Sequence, residues 1–423
     1  MMIKLKELYV TNFKSIDEMS INFNNFNVII GANASGKSNI IQVLKFLNDI
    51  ELYGIENAIS LQGGSEYLRN VNIKSEKNTR IKVDVEINSK FRRIVRGENG
   101  KKKYKINMEK ITFEFAIKYY KRNQKFKVIS DELIIDQRIY KILNDDNNDD
   151  DIDEGLIKTK VYKGAKKYLS KIVSNMDDID IEKEILLSPF FVEYINQSNK
   201  LLLQDIDFIL PPNINSIFGS FIIYDFDPKK LKKISSISGK NDLEPDGSNL
   251  AIVLKKITED KKKSNVFSNL IQDLLPFVNE VKVDKFIDKS FLFKYKEKYA
   301  DNNYFPSSIM SDGTVSITAL IVAIFFEDKH LMVFEEPERN IHPYLLSKII
   351  ELMKDASSDK QILITSHNAE VIKYAGLENL IFVARCAKGY TTVSKPINNK
   401  KVKIFLENEL GVDELYTQNL LGE

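Results

Sequence analysis

The sequence predicts an α/β fold: a mixed and parallel sheet with helices on both sides, carrying an antiparallel β subdomain and a helical insertion. Three observations predict it. The apolar run 28–30 opens onto a glycine-framed turn at 31–38, and Ile40, Val43, Leu44 and Leu47 follow at helical spacing. Strand-like runs recur over residues 80–129 around a glycine- and lysine-rich turn, as antiparallel hairpins require. Two further strand-like runs, 331–334 and 361–365, lead into Glu335–Glu336 and Ser366–His367, and strand ends of this kind are where an open α/β sheet puts its ligand.

The glycine-framed turn carries the most chemistry. Gly31 and Gly36 bracket Ala32, Asn33, Ala34 and Ser35, and Lys37 and Ser38 follow, so the P-loop pattern G-x-x-x-x-G-K-[ST] is complete. Glycines let backbone N–H groups turn inward around a phosphate, and the helix that follows adds its positive end. On this reading Gly31, Asn33, Ser35, Gly36, Lys37, Ser38 and Asn39 bind nucleotide. Lys37 reaches the β- and γ-phosphates, and the Ser38 hydroxyl holds Mg²⁺.

Composition sets the outer bounds. The 423 residues suffice for two or three domains, or for one large lobe with insertions. A net charge of +2 announces no global basic field, so contact with nucleic acid has to come from local patches. The single cysteine, Cys386, excludes an internal disulfide framework and suits a reducing compartment. The start lacks the apolar core of a secretion signal, and the longest apolar run, 317–326, is too short to span a bilayer. A cytoplasmic location without membrane contact is expected.

Three divisions follow from the patterning. Residues 1–135 hold a nucleotide lobe that begins at the N-terminus, and a β subdomain with strands at 80–87, 91–96, 104–108, 111–120 and 125–129. Residues 136–215 hold the acidic run 144–154 and a helical insertion from 155 to about 205, closed by Pro211 and Pro212. The acidic run reads as a solvated loop. A calcium loop starting at Asp149 would put Glu154 where the sharp-turn glycine belongs and Lys160 where the bidentate glutamate belongs. No heptad pattern is sustained, so no long coiled-coil arm is expected. Residues 216–423 hold a strand at 222–226 and a helix capped by Asp246 or Ser248 that runs to Ile257. Paired strands at 281–286 and 291–295, a glycine turn leading into a buried helix, and the two ligand-facing strands complete this division.

Taken in order, NFKSI at 12–16, GANASGKSN, LQGGSEYL, YDFDP at 224–228, LEPDGSNLA, MSDGT, VFEEPERNIHP, TSH and the tail DELYTQNLLGE make most of the chain resemble the SMC/RecF-like branch of ABC ATPases. The likeness is to compact bacterial members that lack a long coiled coil and a Toprim domain. The resemblance implies an ABC-type P-loop ATPase head that binds ATP and Mg²⁺ and forms a homodimer around the nucleotide. It implies that Ser311 and Gly313 contact the γ-phosphate held by the opposite protomer. Glu335 would orient Mg²⁺ together with Ser38, Glu336 would be the base for the attacking water, and His367 would sense the γ-phosphate. Residues 337–343 resemble the D-loop that crosses the dimer. Glu–Glu stands where Asp–Glu is commoner, and Asp312 stands where transporter-type signatures have glycine. The glutamine that couples metal to the adjoining subdomain is unassigned among Gln62, Gln124, Gln137, Gln197 and Gln204.

The function this implies is an ATP-driven switch acting on double-stranded DNA or a DNA-associated partner, in genome maintenance or anti-phage defence. Basic clusters at 92–105, 229–233 and 255–263 could offer phosphate contacts, but a solvated lysine face is the favoured reading of any one of them. The alternative is a slow ATPase scaffold that holds and releases a separately encoded effector or nuclease. Too few residues follow His367 for a Toprim domain, so cutting activity is expected from another protein. A transporter subunit is opposed by both insertions, the NFKSI start and the EEPE motif.

Overall fold

The computed structural model describes residues 2–70, 77–88, 93–96, 103–120, 125–142, 152–164, 167–174, 196, 200–208, 216–236, 240–286, 290–301, 303–400, 402, 411–418 and 420. The chain begins with β1 (Met2–Phe13), β2 (Ile16–Asn22), β3 (Phe26–Ile30), α1 (Lys37–Tyr53), α2 (Ile55–Leu61) and α3 (Ser65–Leu68). Then come β4 (Thr79–Asn88), β5 (Arg93–Arg96), β6 (Lys103–Tyr119), β7 (Phe126–Ile142), β8 (Ile152–Lys163), β9 (Tyr168–Ser174) and a 3-10 turn at Leu202–Phe208. After it lie β10 (Phe221–Tyr224), α4 (Pro228–Leu231), β11 (Ser235–Ser236), α5 (Leu250–Glu259), α6 (Lys261–Leu274), β12 (Val278–Phe286), β13 (Ser290–Glu297) and β14 (Tyr304–Pro306). The last are α7 (Asp312–Phe326), β15 (Leu331–Glu335), α8 (Pro343–Ala356), β16 (Gln361–Ser366), α9 (Ala369–Ala375), β17 (Leu380–Arg385), β18 (Thr391–Ser394) and α10 (Val412–Thr417).

Two units emerge. The first comprises Met1–Phe23, Ser35–Ser220 and Ala384–Val393. Its strands run in the order β18, β2, β1, β4, β6, β7, β8, β9, with β5 on β6, and all pairs but β18 on β2 are antiparallel. Period-two alternation builds this sheet. In β1 the buried residues change phase, from Ile3 and Leu5 to Leu8 and Val10, and the register against β4 shifts between Leu5 and Glu7. That bulge keeps both apolar pairs in the core. Likewise β6 buries Ile106 and Met108 before a register shift at Met108/Lys110, and Ile111, Phe113 and Phe115 after it. What the sequence divides into separate runs at 104–108 and 111–120 is therefore one bulged strand, and the run at 125–129 extends to Ile142.

The second unit comprises Asn24–Ala34, Phe221–Val383 and Ser394–Glu423. Its main sheet runs β10, β15, β16, β3, β17 with every pair parallel. Strands in such a sheet are covered on both faces, which is why β3 and β16 are mainly apolar and are buried at every residue, Asn27, Gln361, Thr365 and Ser366 included. A smaller antiparallel sheet joins β11, β13, β12 and β14, and contains the pairing expected for 281–286 and 291–295. α7 is buried from Thr314 to Ile324.

Two expectations need correction. The stretch expected to be helical from Gly155 is extended through Lys163 and again over Tyr168–Ser174, with β8 pairing β7 and β9 pairing β8. Ile157, Thr159 and Val161 are buried, while Lys158, Lys160 and Tyr162 between them are not, a period of two that β7 imposes by pairing. Residues 175–195 of the expected insertion, and 144–151 of the acidic run, lie outside the described residues. The cap of α5 is Asn249, not Asp246 or Ser248. Asp246 pairs with Lys230 and accepts from Ser248 N, so its carboxylate is used one turn too early to cap the helix.

Candidate functional site

Three neighbouring strands of the parallel sheet end in step. Glu335 of β15 lies opposite Thr365 of β16, and Ser366 of β16 lies opposite Ile30 of β3. The residues that leave this edge are Glu336, His367 and Gly31, so adjacency in the sheet gathers stretches far apart in sequence.

Glu336 is held in a backbone conformation that non-glycine residues rarely adopt, with φ 45°. Its N–H donates to Thr365 O at 2.9 Å, tying the turn to the neighbouring strand. The carboxylate is engaged at both oxygens: Oε1 meets His367 Nδ1 at 2.8 Å, and Oε2 accepts from Arg339 Nε at 2.9 Å. Burial opposes ionisation of Glu336, but the Arg339 hydrogen bond and the charges of His367 and Arg339 outweigh it and hold the carboxyl below its ordinary range. Two residues on, Glu338 is buried, and burial pushes its carboxyl up. Oε1 of Glu338 accepts from Ser366 Oγ, while Oε2 is buried without a partner. Glu335 closes β15 and is half-buried.

The stretch MSDGT starts α7 rather than forming a turn before it. Ser311 is the cap, accepting from Thr314 N at 3.1 Å, and Asp312 is paired with Lys232. Gly313 therefore stands in the first helical turn. A Cβ there would meet Asn340 O at 2.6 Å, so glycine lets the segment 337–343 pack directly on this helix start. Asn340 itself has φ 63°.

Gly31 and exposed Asn33 follow β3 in the second unit; Ser35 to Asn39 belong to the first. Gly36 caps α1 at φ 113° with no side-chain cap, and no acidic residue occupies the first turn. The leading N–H groups of the helix thus keep their positive end unneutralised by side chains. A Cβ on Gly36 would run into the Thr391 side chain. Thr391 Oγ1 donates to Ser35 O at 3.2 Å and meets Ser15 Oγ at 2.6 Å, while Asn39 Nδ2 donates to Ser15 Oγ. The NFKSI turn and β18 together hold this half of the loop. Ser35 Oγ is buried without a partner, Lys37 is buried and Ser38 is exposed. An orphaned hydroxyl, a cradle that admits only glycine and an uncapped helix start fit an anionic group such as a phosphate. A cavity of about 540 Å³ in the same unit is lined by Lys14, Ser15, Gln62, Arg69, Asn70 and Arg385. Among the described residues no three His, Cys, Asp or Glu side chains gather to hold a metal on their own.

Sequence reasoning missed Thr391, Asp225 and Arg339 as participants. Asp225 and Arg339 lie inside the quoted stretches YDFDP and VFEEPERNIHP, so a signal existed; for Thr391 only tertiary placement reveals the role. Of the five glutamines, Gln62 is buried with an unpartnered Oε1, Gln137 is buried in β7, and Gln204 accepts from Leu201 N; Gln124 and Gln197 lie outside the described residues.

A family model described as "AAA domain, putative AbiEii toxin, Type IV TA system" matches residues 26–373. A search of curated proteins found no match. Among solved structures, the SMC head domain from Thermotoga maritima is 14% identical with a TM-score of 0.42, covering 93% of this chain and 98% of that one. An SmcHead bound to the C-winged helix domain of ScpA is 16% identical with a TM-score of 0.43, covering 92% and 97%. The Smc head domain with an extended coiled coil, bound to the C-terminal domain of ScpA from Pyrococcus furiosus, is 16% identical with a TM-score of 0.43, covering 97% and 100%.

Proposed function

The chain belongs to this AAA domain family, and on that premise we propose that it is an ATP hydrolase of ABC type that closes as a homodimer on ATP. The observation that carries the reading is the Glu336–His367 pair, 2.8 Å apart on adjacent strand ends, in the sheet whose next strand leads into the P-loop. In this reading the backbone of Gly31 to Gly36 and the side chains of Asn33, Ser35, Lys37 and Asn39 cradle phosphates. Ser38 and Glu335 would hold Mg²⁺, which would supply charge neutralisation for the phosphates. Glu336 orients the attacking water, and His367 sits beside it as a phosphate sensor. Ser311 and Gly313 serve the nucleotide of the opposite copy. Closure then depends on the γ-phosphate, and release follows its loss. Such a switch suits work on DNA or on a separately encoded effector, in genome maintenance or defence.

The test is turnover and mass together. Glu336→Gln is expected to keep ATP binding, to lose roughly 10²–10⁴-fold in turnover, the usual worth of a general base, and to accumulate as an ATP-bound dimer in light scattering. Lys37→Ala is expected to abolish binding. A Glu336→Gln protein that turns over like wild type sinks the assignment, and a monomeric one in ATP sinks the dimer. DNA stimulation that falls with salt separates the DNA reading from the scaffold reading.

A further inference from the structure

One guanidinium spans two carboxylates beside the proposed base. Arg339 donates through Nε to Glu336 Oε2 at 2.9 Å and through Nη1 to Asp225 Oδ1 at 2.8 Å. The backbone sets both contacts. Arg339 N donates to Glu336 O at 3.1 Å, a tight turn that keeps Arg339 next to Glu336. Asp225 is the first residue past β10, whose Tyr224 lies opposite Phe334 of β15, and Asp225 N is anchored on Pro245 O at 3.0 Å. Two separate strand ends thus present their carboxylates to one planar fork, a geometry that lysine does not reproduce.

A base for water needs an oxygen aimed at that water within hydrogen-bond reach. Here one oxygen of Glu336 is committed to His367 and the other to Arg339. The side chains of Arg339 and Asp225 are 45% and 58% exposed, so their pairing is screened and opens at little cost.

We propose that Asp225 and Arg339 form a brace that keeps Glu336 in a resting pose, and that Arg339 is a positioning residue which must release Glu336 before hydrolysis. Its activity arm rests on the hydrolase reading; its structural arm does not. The brace gives the family fold a low basal rate, and whatever draws Arg339 away raises it.

The experiment compares wild type with Arg339→Gln, Arg339→Lys and Asp225→Asn, all as the full chain. Without nucleotide, amide exchange over residues 336–341 is expected to quicken about five-fold in Asp225→Asn, the factor for losing one partly exposed ion pair, and at least as much in Arg339→Gln and Arg339→Lys, with α7 unchanged. With ATP, kcat of Arg339→Gln is expected to rise about five-fold with KM within about two-fold. Arg339→Lys is expected to follow Arg339→Gln, because charge without the fork does not brace two carboxylates. Unchanged exchange over 336–341, or a kcat that stays level or falls, overturns the proposal. Should Arg339→Gln fail to fold, Asp225→Asn and Arg339→Lys decide it by the same readouts. A wild type that binds no ATP defeats the hydrolase reading, and exchange without nucleotide then still decides the brace.

Discussion

Glu336 and Gly36 show two ways a single residue sits where backbone energetics oppose it. At Glu336 a non-glycine side chain occupies positive φ, a strain of about 1–3 kcal/mol that is sustained by the bonds to Thr365, His367 and Arg339. At Gly36 the same region is occupied without strain, but only because no Cβ is present to meet Thr391. Gly36→Ala is therefore expected to destabilise the fold by about 1–3 kcal/mol and to weaken ATP binding at least about ten-fold. Calorimetric titration with ATP checks it, and undiminished affinity would show that the turn does not need its present shape. Gly36 was legible from the P-loop pattern alone. Its neighbour Thr391 was not, because contact between residues this far apart in sequence leaves no local trace.

At the scale of elements, α1 is anchored at both ends within its unit. Its start is the glycine turn; near its far end Glu51 accepts from Ser216 Oγ at 2.7 Å, Ile217 N at 2.9 Å and Phe218 N at 2.6 Å. Asn48 Nδ2 donates to Phe218 O as well. One carboxylate thus serves two backbone N–H groups that no helix or strand pairs, and taking it away leaves them to water or to nothing. Glu51→Ala is expected to cost about 2–4 kcal/mol, seen as a lower denaturant midpoint; a change below about 0.5 kcal/mol would mean solvent replaces the carboxylate freely. The apolar stripe of α1 was readable as Ile40, Val43, Leu44 and Leu47, all of them buried. The acceptor role of Glu51 was not readable, since a glutamate on a helix reads as solvated surface. The same limit misread residues 155–174: alternation over a few residues competes with helical spacing until a partner strand settles it.

At the scale of the whole molecule, one buried carboxyl of the first unit ties stability to pH. Asp131 is 4% exposed, and its Oδ2 accepts from Tyr168 OH at 2.8 Å and Leu202 N at 2.9 Å. Burial pushes its carboxyl up from 3.8 to about 6, with Asp205 adding to the rise and the two hydrogen bonds and Lys163 opposing it. The folded state therefore keeps a proton that the unfolded state has already released between these values. Stability falls as pH rises through that window and levels off above about 6, a loss of at most about 3 kcal/mol. Asp131→Asn lacks this titration, so its stability relative to wild type is expected to improve as pH goes from about 3.5 to 7, measured by denaturant unfolding. A constant difference across that range refutes the assignment. Among the described residues no helix is long and apolar enough to cross a membrane.

By itself the sequence determined the P-loop pattern and the kind of sheet that leads into it. A P-loop needs glycines and a lysine at set intervals, and a parallel strand covered on both faces needs a mainly apolar run. Both demands are local, so both are written in consecutive residues. Tertiary structure alone decided what surrounds them: that Thr391 walls the turn at Gly36, that Gly313 meets Asn340, and that Arg339 bridges Glu336 to Asp225. These contacts depend on strand order, and strand order follows from burying many apolar faces at once, a condition on the whole chain that no short stretch records.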